Sequence, residues 1–166
     1  MDAEVAEVDG WLAEQKTLAG AFPGWGNSYG RDHTARWGIV DGDGIQRGEL
    51  AFSSDRTLVH PSIVVMMGKR MVFRLDLVPE TECEPNDFGG QALKLPGMVC
   101  GSHTHSWVHN REWVRVHGFG ELPYREPTPK ALKTLEQALA AVADAVNIDL
   151  TTDQRDCRLP ADRDLF

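Results

Sequence analysis

The chain has 166 residues, of which 42% are hydrophobic and 25% charged, values typical of one folded globular domain. Its formal net charge of −8 argues against a general affinity for nucleic acid or for anionic membranes, because both need a basic surface. No uncharged apolar run reaches the roughly 18 residues of a membrane helix. The acidic first residues are also atypical of a signal or transit peptide. We expect a soluble protein with no membrane association.

The cysteines Cys83, Cys100 and Cys157 are odd in number and follow no framework spacing. Such a set predicts free thiols in a reducing compartment rather than a disulfide scaffold. We therefore expect a cytoplasmic location.

The first predicted element is a helix over residues 3–19, where Val5, Val8 and Leu12 recur at helical spacing and Gly20 can end the helix. Alternating patterns then predict strands over residues 35–40, 46–53, 57–66 and 70–77. Turn signals at residues 41–44 and 68–69 separate the first pair and the last pair. A two-residue turn at 68–69 would place six residues on one core face: Val64, Met66, Met71, Phe73, Leu75 and Leu77.

A second hairpin is predicted over residues 98–119, with strands at 99–108 and 112–119. A helix over residues 129–147 follows, capped by Thr128 and with Pro129 at its first position. Residues 150–166 form a polar tail that ends in Leu165-Phe166. The sequence therefore predicts one α+β domain over residues 1–166. Its antiparallel sheet has about six strands, spans residues 35–119 and is flanked by the N-terminal and C-terminal helices.

Four of the six histidines fall in the second predicted hairpin. A three-residue loop at 109–111 would place six side chains on one face of it: His103, His105, Trp107, Trp113, Arg115 and His117. Cross-strand neighbours lie about 5 Å apart at Cβ, so these side chains would converge. Cys100 would join them only if Gly101 formed a bulge.

This face permits two kinds of chemistry. His103, His105 and His117 form a candidate ligand set for zinc or another divalent first-row metal. His103, His105 and Arg115 form a candidate catalytic set, in which histidine transfers protons and Arg115 holds an anion such as a phosphoester. His103-x-His105 is similar to the start of the deubiquitinase-type zinc protease motif, but the serine and aspartate expected downstream are missing at that spacing.

Two other interpretations compete with a chemical site. The histidines can be ordinary polar residues on an exposed strand, since such pairs and tryptophan pairs stabilise hairpins without any ligand. Alternatively, Trp107, Trp113 and Arg115 can form a protein-binding surface.

Three short segments lie within the last 70 or so residues: Gly101-Ser102-His103-Thr104-His105, Val146-Asn147-Ile148 and Leu165-Phe166. They resemble segments of an uncharacterised family of short bacterial proteins associated with phages and mobile elements. The resemblance implies a role in phage–host conflict or in toxin–antitoxin control, with no established chemistry.

The first functional hypothesis is a small acidic protein-binding module, an inhibitor or antitoxin-like factor with a protein partner and no direct nucleic-acid ligand. The alternative is a metal-dependent hydrolase or nuclease that uses His103, His105 and His117. A metal-free histidine ribonuclease is a third hypothesis, but the acidic charge argues against it.

Overall fold

A computed structural model of the protein describes residues 1–28, 32–55, 60–86 and 88–158. It contains four α-helices: α1 (Asp2–Ala13), α2 (Phe88–Ala92), α3 (Trp107–His117) and α4 (Leu135–Ala145). A 3-10 turn follows at Asp153–Arg155. None of the helices in the described ranges has the length and apolar character needed to cross a membrane.

One large sheet organises the chain. Its strands are β1 (Lys16–Leu18), β2 (Gly26–Ser28), β3 (Asp32–Val40), β4 (Gln46–Asp55), β5 (Ser62–Met67), β6 (Arg70–Asp76), β9 (His103–His105), β10 (Glu126–Pro127) and β11 (Ile148–Asp149). A separate pair joins β7 (Cys83–Pro85) to β8 (Met98–Cys100). The order in the large sheet is β10-β9-β6-β5-β4-β3-β1-β11, with β2 paired to β3.

The predicted α+β class is confirmed, and the sheet has more strands than predicted. The additional ones have only two or three residues, which is too short to show an alternating pattern. Every neighbouring pair is antiparallel except β1 and β11, which pair in parallel at one edge.

Strands β3, β4 and β6 lie where the sequence predicts strands, and both predicted turns are present. The Asp41 carboxylate accepts hydrogen bonds from the backbone N–H groups of Asp43 and Ile45, which closes the first turn. Gly68 takes the positive φ of 60° that the second turn requires. Strand β5 begins at Ser62, and positions 57–59 of the strand predicted over 57–66 lie outside the described residues.

The predicted core face is wrong on β5. Val65 pairs with Phe73, but Met66 pairs with Met71, so a β-bulge reverses the alternation between these two pairs. As a result Ile63, Val65 and Met67 are buried, whereas Val64 and Met66 are half-buried. The core lies on the face of the sheet that carries Val65 and Phe73, and α4 packs over that face.

The predicted helix over 3–19 is too long. It ends at Ala13, where the buried Lys16 ammonium donates hydrogen bonds to the carbonyls of Trp11 (2.7 Å) and Glu14 (2.5 Å). These carbonyls belong to the last turn, whose oxygens lack partners within the helix, so Lys16 terminates α1 and the chain continues into β1.

The late helix begins at Leu135 rather than at 129. Its cap is Thr134, whose hydroxyl accepts a hydrogen bond from the Gln137 backbone, and not Thr128. Gln137 in turn accepts from the backbone N–H of Lys133, the residue before the cap, so both side chains satisfy backbone donors at the start of α4. The segment after α4 is less exposed than a polar tail, because Leu150, Gln154 and Cys157 are buried. Residues 159–166, including Leu165-Phe166, lie outside the described part.

The predicted second hairpin is wrong. Residues 107–117 form helix α3, and the chain before it forms the short strands β8 and β9. The valines and tryptophans of this segment favour strands locally. Its buried residues, however, are Trp107, Asn110 and Val114, which lie three and four positions apart and so share one face of a helix.

The cysteines also differ from the prediction of free thiols. Cys83 and Cys100 face each other across the β7–β8 pair and form a disulfide, while Cys157 is free and buried. Their separation of 17 residues carries no framework signature, so only the strand pairing reveals the bond.

Candidate metal centre

Strand register brings four polar side chains to one face of the sheet. Asp76 on β6 pairs with His103 on β9, and Arg74 pairs with His105 two residues away. Side chains of directly opposed residues point to the same side of a sheet. The intervening Thr104 points to the opposite side, where it lines a cavity beneath α4. The two histidines, the carboxylate and the guanidinium therefore occupy the face away from α4.

The ligand atoms of Asp76, His103 and His105 converge in the interior. Asp76 Oδ2 lies 3.6 Å from His103 Nε2 and 3.4 Å from His105 Nε2. All three side chains are buried, and the three ligand atoms lie within 4.8 Å of one another. Zinc bonds of 2.0–2.2 Å place adjacent ligands of a tetrahedron about 3.3–3.6 Å apart. The group has the composition and spacing to hold a metal ion.

Backbone carbonyls orient both imidazoles. His103 Nδ1 donates to the Gly101 carbonyl (2.9 Å), and His105 Nδ1 donates to the Leu122 carbonyl (2.5 Å). A carbonyl can only accept, so each Nδ1 carries the proton and each Nε2 is directed at the carboxylate. In a neutral imidazole that Nε2 holds a lone pair, which repels a carboxylate unless a proton or a cation lies between them. In metal sites, a histidine ligand likewise donates its other ring N–H to a backbone carbonyl or a carboxylate.

Arg74 holds the second oxygen of the carboxylate. Its Nε and Nη2 atoms each lie 2.8 Å from Asp76 Oδ1, which leaves Oδ2 free to face the histidines. Burial alone would raise the pKa of Asp76, but the Arg74 guanidinium and the neighbouring His105 imidazole outweigh it and lower that pKa. The carboxylate is thus ionised and available as a ligand. Burial lowers the pKa of His103, which favours the neutral, metal-binding imidazole.

Hydrogen bonds of neighbouring residues fix the two carbonyls that orient the histidines. Gly101 has a φ of 76°, a conformation suited to glycine, and donates its N–H to the Glu82 carbonyl beside the disulfide. On the other side, the fully buried Asn110 of α3 donates to the Tyr124 carbonyl and accepts from the Tyr124 N–H, each at 2.8 Å. This pair of bonds fixes the segment that carries the Leu122 carbonyl.

The structure brings together only two of the predicted site residues, His103 and His105. His117 lies in the last turn of α3, stacked on Trp113 at 3.7 Å between ring centroids, and does not join the group of ligand atoms. Arg115 pairs with Glu112 on the same helix. Trp107 is buried and donates its indole N–H to Asp9 at 2.7 Å. The predicted single face therefore does not exist, because α3 replaces the second strand. Cys100 is in the disulfide and also lies outside the group.

Asp76 was not among the site residues predicted from the sequence. One signal could have revealed it: Arg74 and Asp76 occupy alternate positions in a strand that is otherwise apolar after Arg70, as His103 and His105 occupy alternate positions in theirs. Two strands with charged or polar residues at alternate positions on one face are candidates for pairing. Comparison of the chain with family models, with curated proteins and with solved structures finds no match in any of the three.

Proposed function

We propose that the protein is a metal-dependent hydrolase with one divalent ion, most simply zinc, held by Asp76 Oδ2, His103 Nε2 and His105 Nε2. The observation that carries the proposal is the paired arrangement of the imidazoles, with both Nδ1 atoms held by carbonyls and both Nε2 atoms turned to one carboxylate oxygen. Ordinary surface histidines need no such orientation. Three protein ligands, two histidines and a carboxylate, are typical of catalytic zinc sites, which keep a fourth position for water.

The surrounding residues fit this chemistry. A zinc ion at such a site lowers the pKa of its bound water to about 7 and so supplies hydroxide at neutral pH. Arg74 keeps Asp76 ionised and in position, and its own side chain is 45% exposed, so part of the guanidinium reaches the solvent beside the site. Both buried histidines use Nδ1 to donate to a backbone carbonyl, so Nε2 is the ring atom that each can offer to a metal.

Hydrolysis assays on matched variants test the proposal. The protein, stripped of metal and then supplied with one equivalent of zinc, is assayed on p-nitrophenyl esters of phosphate and acetate. We expect zinc-dependent hydrolysis by the wild type and by His117→Ala, the matched histidine control, and loss of at least 100-fold in Asp76→Asn and His103→Ala. Hydrolysis that survives zinc removal or persists in Asp76→Asn would overturn the proposal.

A second proposal is that the protein binds a protein partner and acts as an inhibitor or antitoxin-like factor. Its support is the outer side of α3, where Val108 and Val116 are 73% and 66% exposed and Arg115 lies beside them. The buried Trp107 contributes no surface to it. The double variant Val108→Asp/Val116→Asp should abolish partner capture without changing metal content. Capture that is equal in the double variant and the wild type would refute this surface.

A further inference from the structure

Arg74 and Arg125 flank the candidate metal centre on the same face of the sheet. Strand β10 pairs Glu126 with Thr104, so the antiparallel register places the preceding residue, Arg125, beside His105. On the other side of His105, β6 places Arg74 directly opposite. Across three neighbouring strands the order is therefore Arg74, His105, Arg125. Thr104 and Glu126 point to the opposite side and line the cavity under α4.

Arg125 is fixed in place and has an unused donor. Its backbone N–H donates to the Asn86 side chain at 2.9 Å, and its carbonyl accepts from the same side chain at 2.8 Å. The guanidinium forms an ion pair with the half-exposed Glu84, yet its buried Nε–H has no hydrogen-bond partner among the described residues. Burial lowers the pKa of the Arg125 guanidinium, and the charges of Asp76 and Arg74 also act on it.

The local charge favours an anion once a metal ion is present. The two guanidiniums balance the carboxylates of Asp76 and Glu84, so a divalent ion leaves the site with a net charge of about +2. Guanidinium groups bind the oxygens of phosphate in pairs and remain charged at every physiological pH. The net charge of −8 over the whole chain, in contrast, repels a long polyanion.

We infer that Arg74 and Arg125 form an anion-binding pair that holds the phosphoryl group of a small phosphate ester against the metal. The inference rests on the proposed metal-dependent hydrolase and names its substrate class. In this arrangement one phosphoryl oxygen faces the ion, and the others accept hydrogen bonds from the two guanidiniums. The Nε–H of Arg125 gains the partner that it lacks in the protein alone.

Equilibrium dialysis with radiolabelled inorganic phosphate tests the pair directly, on zinc-loaded and on zinc-free protein. Removal of one charge-assisted contact should weaken phosphate binding about ten-fold or more in Arg125→Gln and in Arg74→Gln. Arg36→Gln is the matched control: Arg36 is an exposed arginine on β3 that pairs with a glutamate of β4, and its loss should leave phosphate binding unchanged. Arg125→Lys keeps the charge at a partly buried position and should bind phosphate more tightly than Arg125→Gln.

Metal content, measured on the same samples, separates the two hypotheses. If zinc is bound but both arginine variants bind phosphate as the wild type does, the inference is overturned and the metal centre stands. If the wild type binds no zinc, the proposed metal-dependent function is wrong. Dialysis of the zinc-free protein then still shows whether Arg74 and Arg125 bind phosphate. Phosphate binding that depends on Arg125 and Arg74 supports the pair, and the absence of phosphate binding in both forms refutes it.

Discussion

Removal of the Cys83–Cys100 disulfide should destabilise the protein and loosen the metal centre. The bond joins residues 17 apart in sequence, and closing a loop of this length lowers the conformational entropy of the unfolded chain enough to stabilise the fold by about 3 kcal/mol at 25 °C. Both cysteines are exposed, so serine can replace them without leaving a cavity in the core. We therefore expect Cys83→Ser/Cys100→Ser to lose about 3 kcal/mol of unfolding free energy.

Urea unfolding with and without a reducing agent measures this loss. Reductant should destabilise the wild type to the level of the double variant and leave the double variant unchanged, which controls for the remaining thiol of Cys157. Zinc affinity should also fall in the double variant, because the disulfide borders Gly101, whose carbonyl orients His103. The prediction is wrong if the wild type and the double variant differ by less than about 1 kcal/mol in unfolding free energy. It is also wrong if the reducing agent destabilises the double variant.

Two further predictions concern buried polar groups. Asn110→Ala removes the side chain that bonds both the N–H and the C=O of Tyr124, so it should cost about 2–4 kcal/mol in urea unfolding and weaken zinc binding. A loss below about 1 kcal/mol would contradict this prediction. Burial lowers the pKa of Lys16 from 10.5 to about 8. Between these pH values the unfolded chain binds more protons than the folded one, so the unfolding free energy of the wild type should rise with pH, by at most about 1.4 kcal/mol per unit, relative to Lys16→Met. Urea titrations at pH 8 and pH 9.5 measure the unfolding free energy of both proteins. An equal change in unfolding free energy between these two pH values in the wild type and in Lys16→Met would contradict the prediction.

The features that the sequence predicted well depend on local signals. The long strands β3, β4 and β6 have nine, ten and seven residues, which is long enough for a strand pattern to be recognised. The turns at Asp41 and Gly68 depend on side chains or φ values within the turn itself. The class of fold follows from these elements. The pair His103 and His105 could likewise be predicted, since alternate residues of one strand share a face wherever that strand pairs.

The rest of the site depends on contacts between distant parts of the chain. Asp76 lies beside the histidines because β9 pairs with β6. The segment between these two strands contains β7, α2 and β8, which lie outside the large sheet. Nothing local to Asp76 predicts which strand will pair with its own. Helix α3 was mistaken for a strand because its β-branched and aromatic residues favour strands locally, whereas the burial of Asn110 against Tyr124 selects the helix. That error placed Arg115 and His117 at the site.

Elemental analysis measures whether Asp76, His103 and His105 bind one metal ion. Wild-type protein, incubated with excess zinc and freed of unbound metal by gel filtration, should retain about one zinc ion per chain. His117→Ala should retain the same amount, because His117 stacks on Trp113 away from the ligand group. Asp76→Ala and His103→Ala should retain almost none. Metal-free wild-type protein, or equal zinc content in all four proteins, would show that these three residues do not form a metal centre.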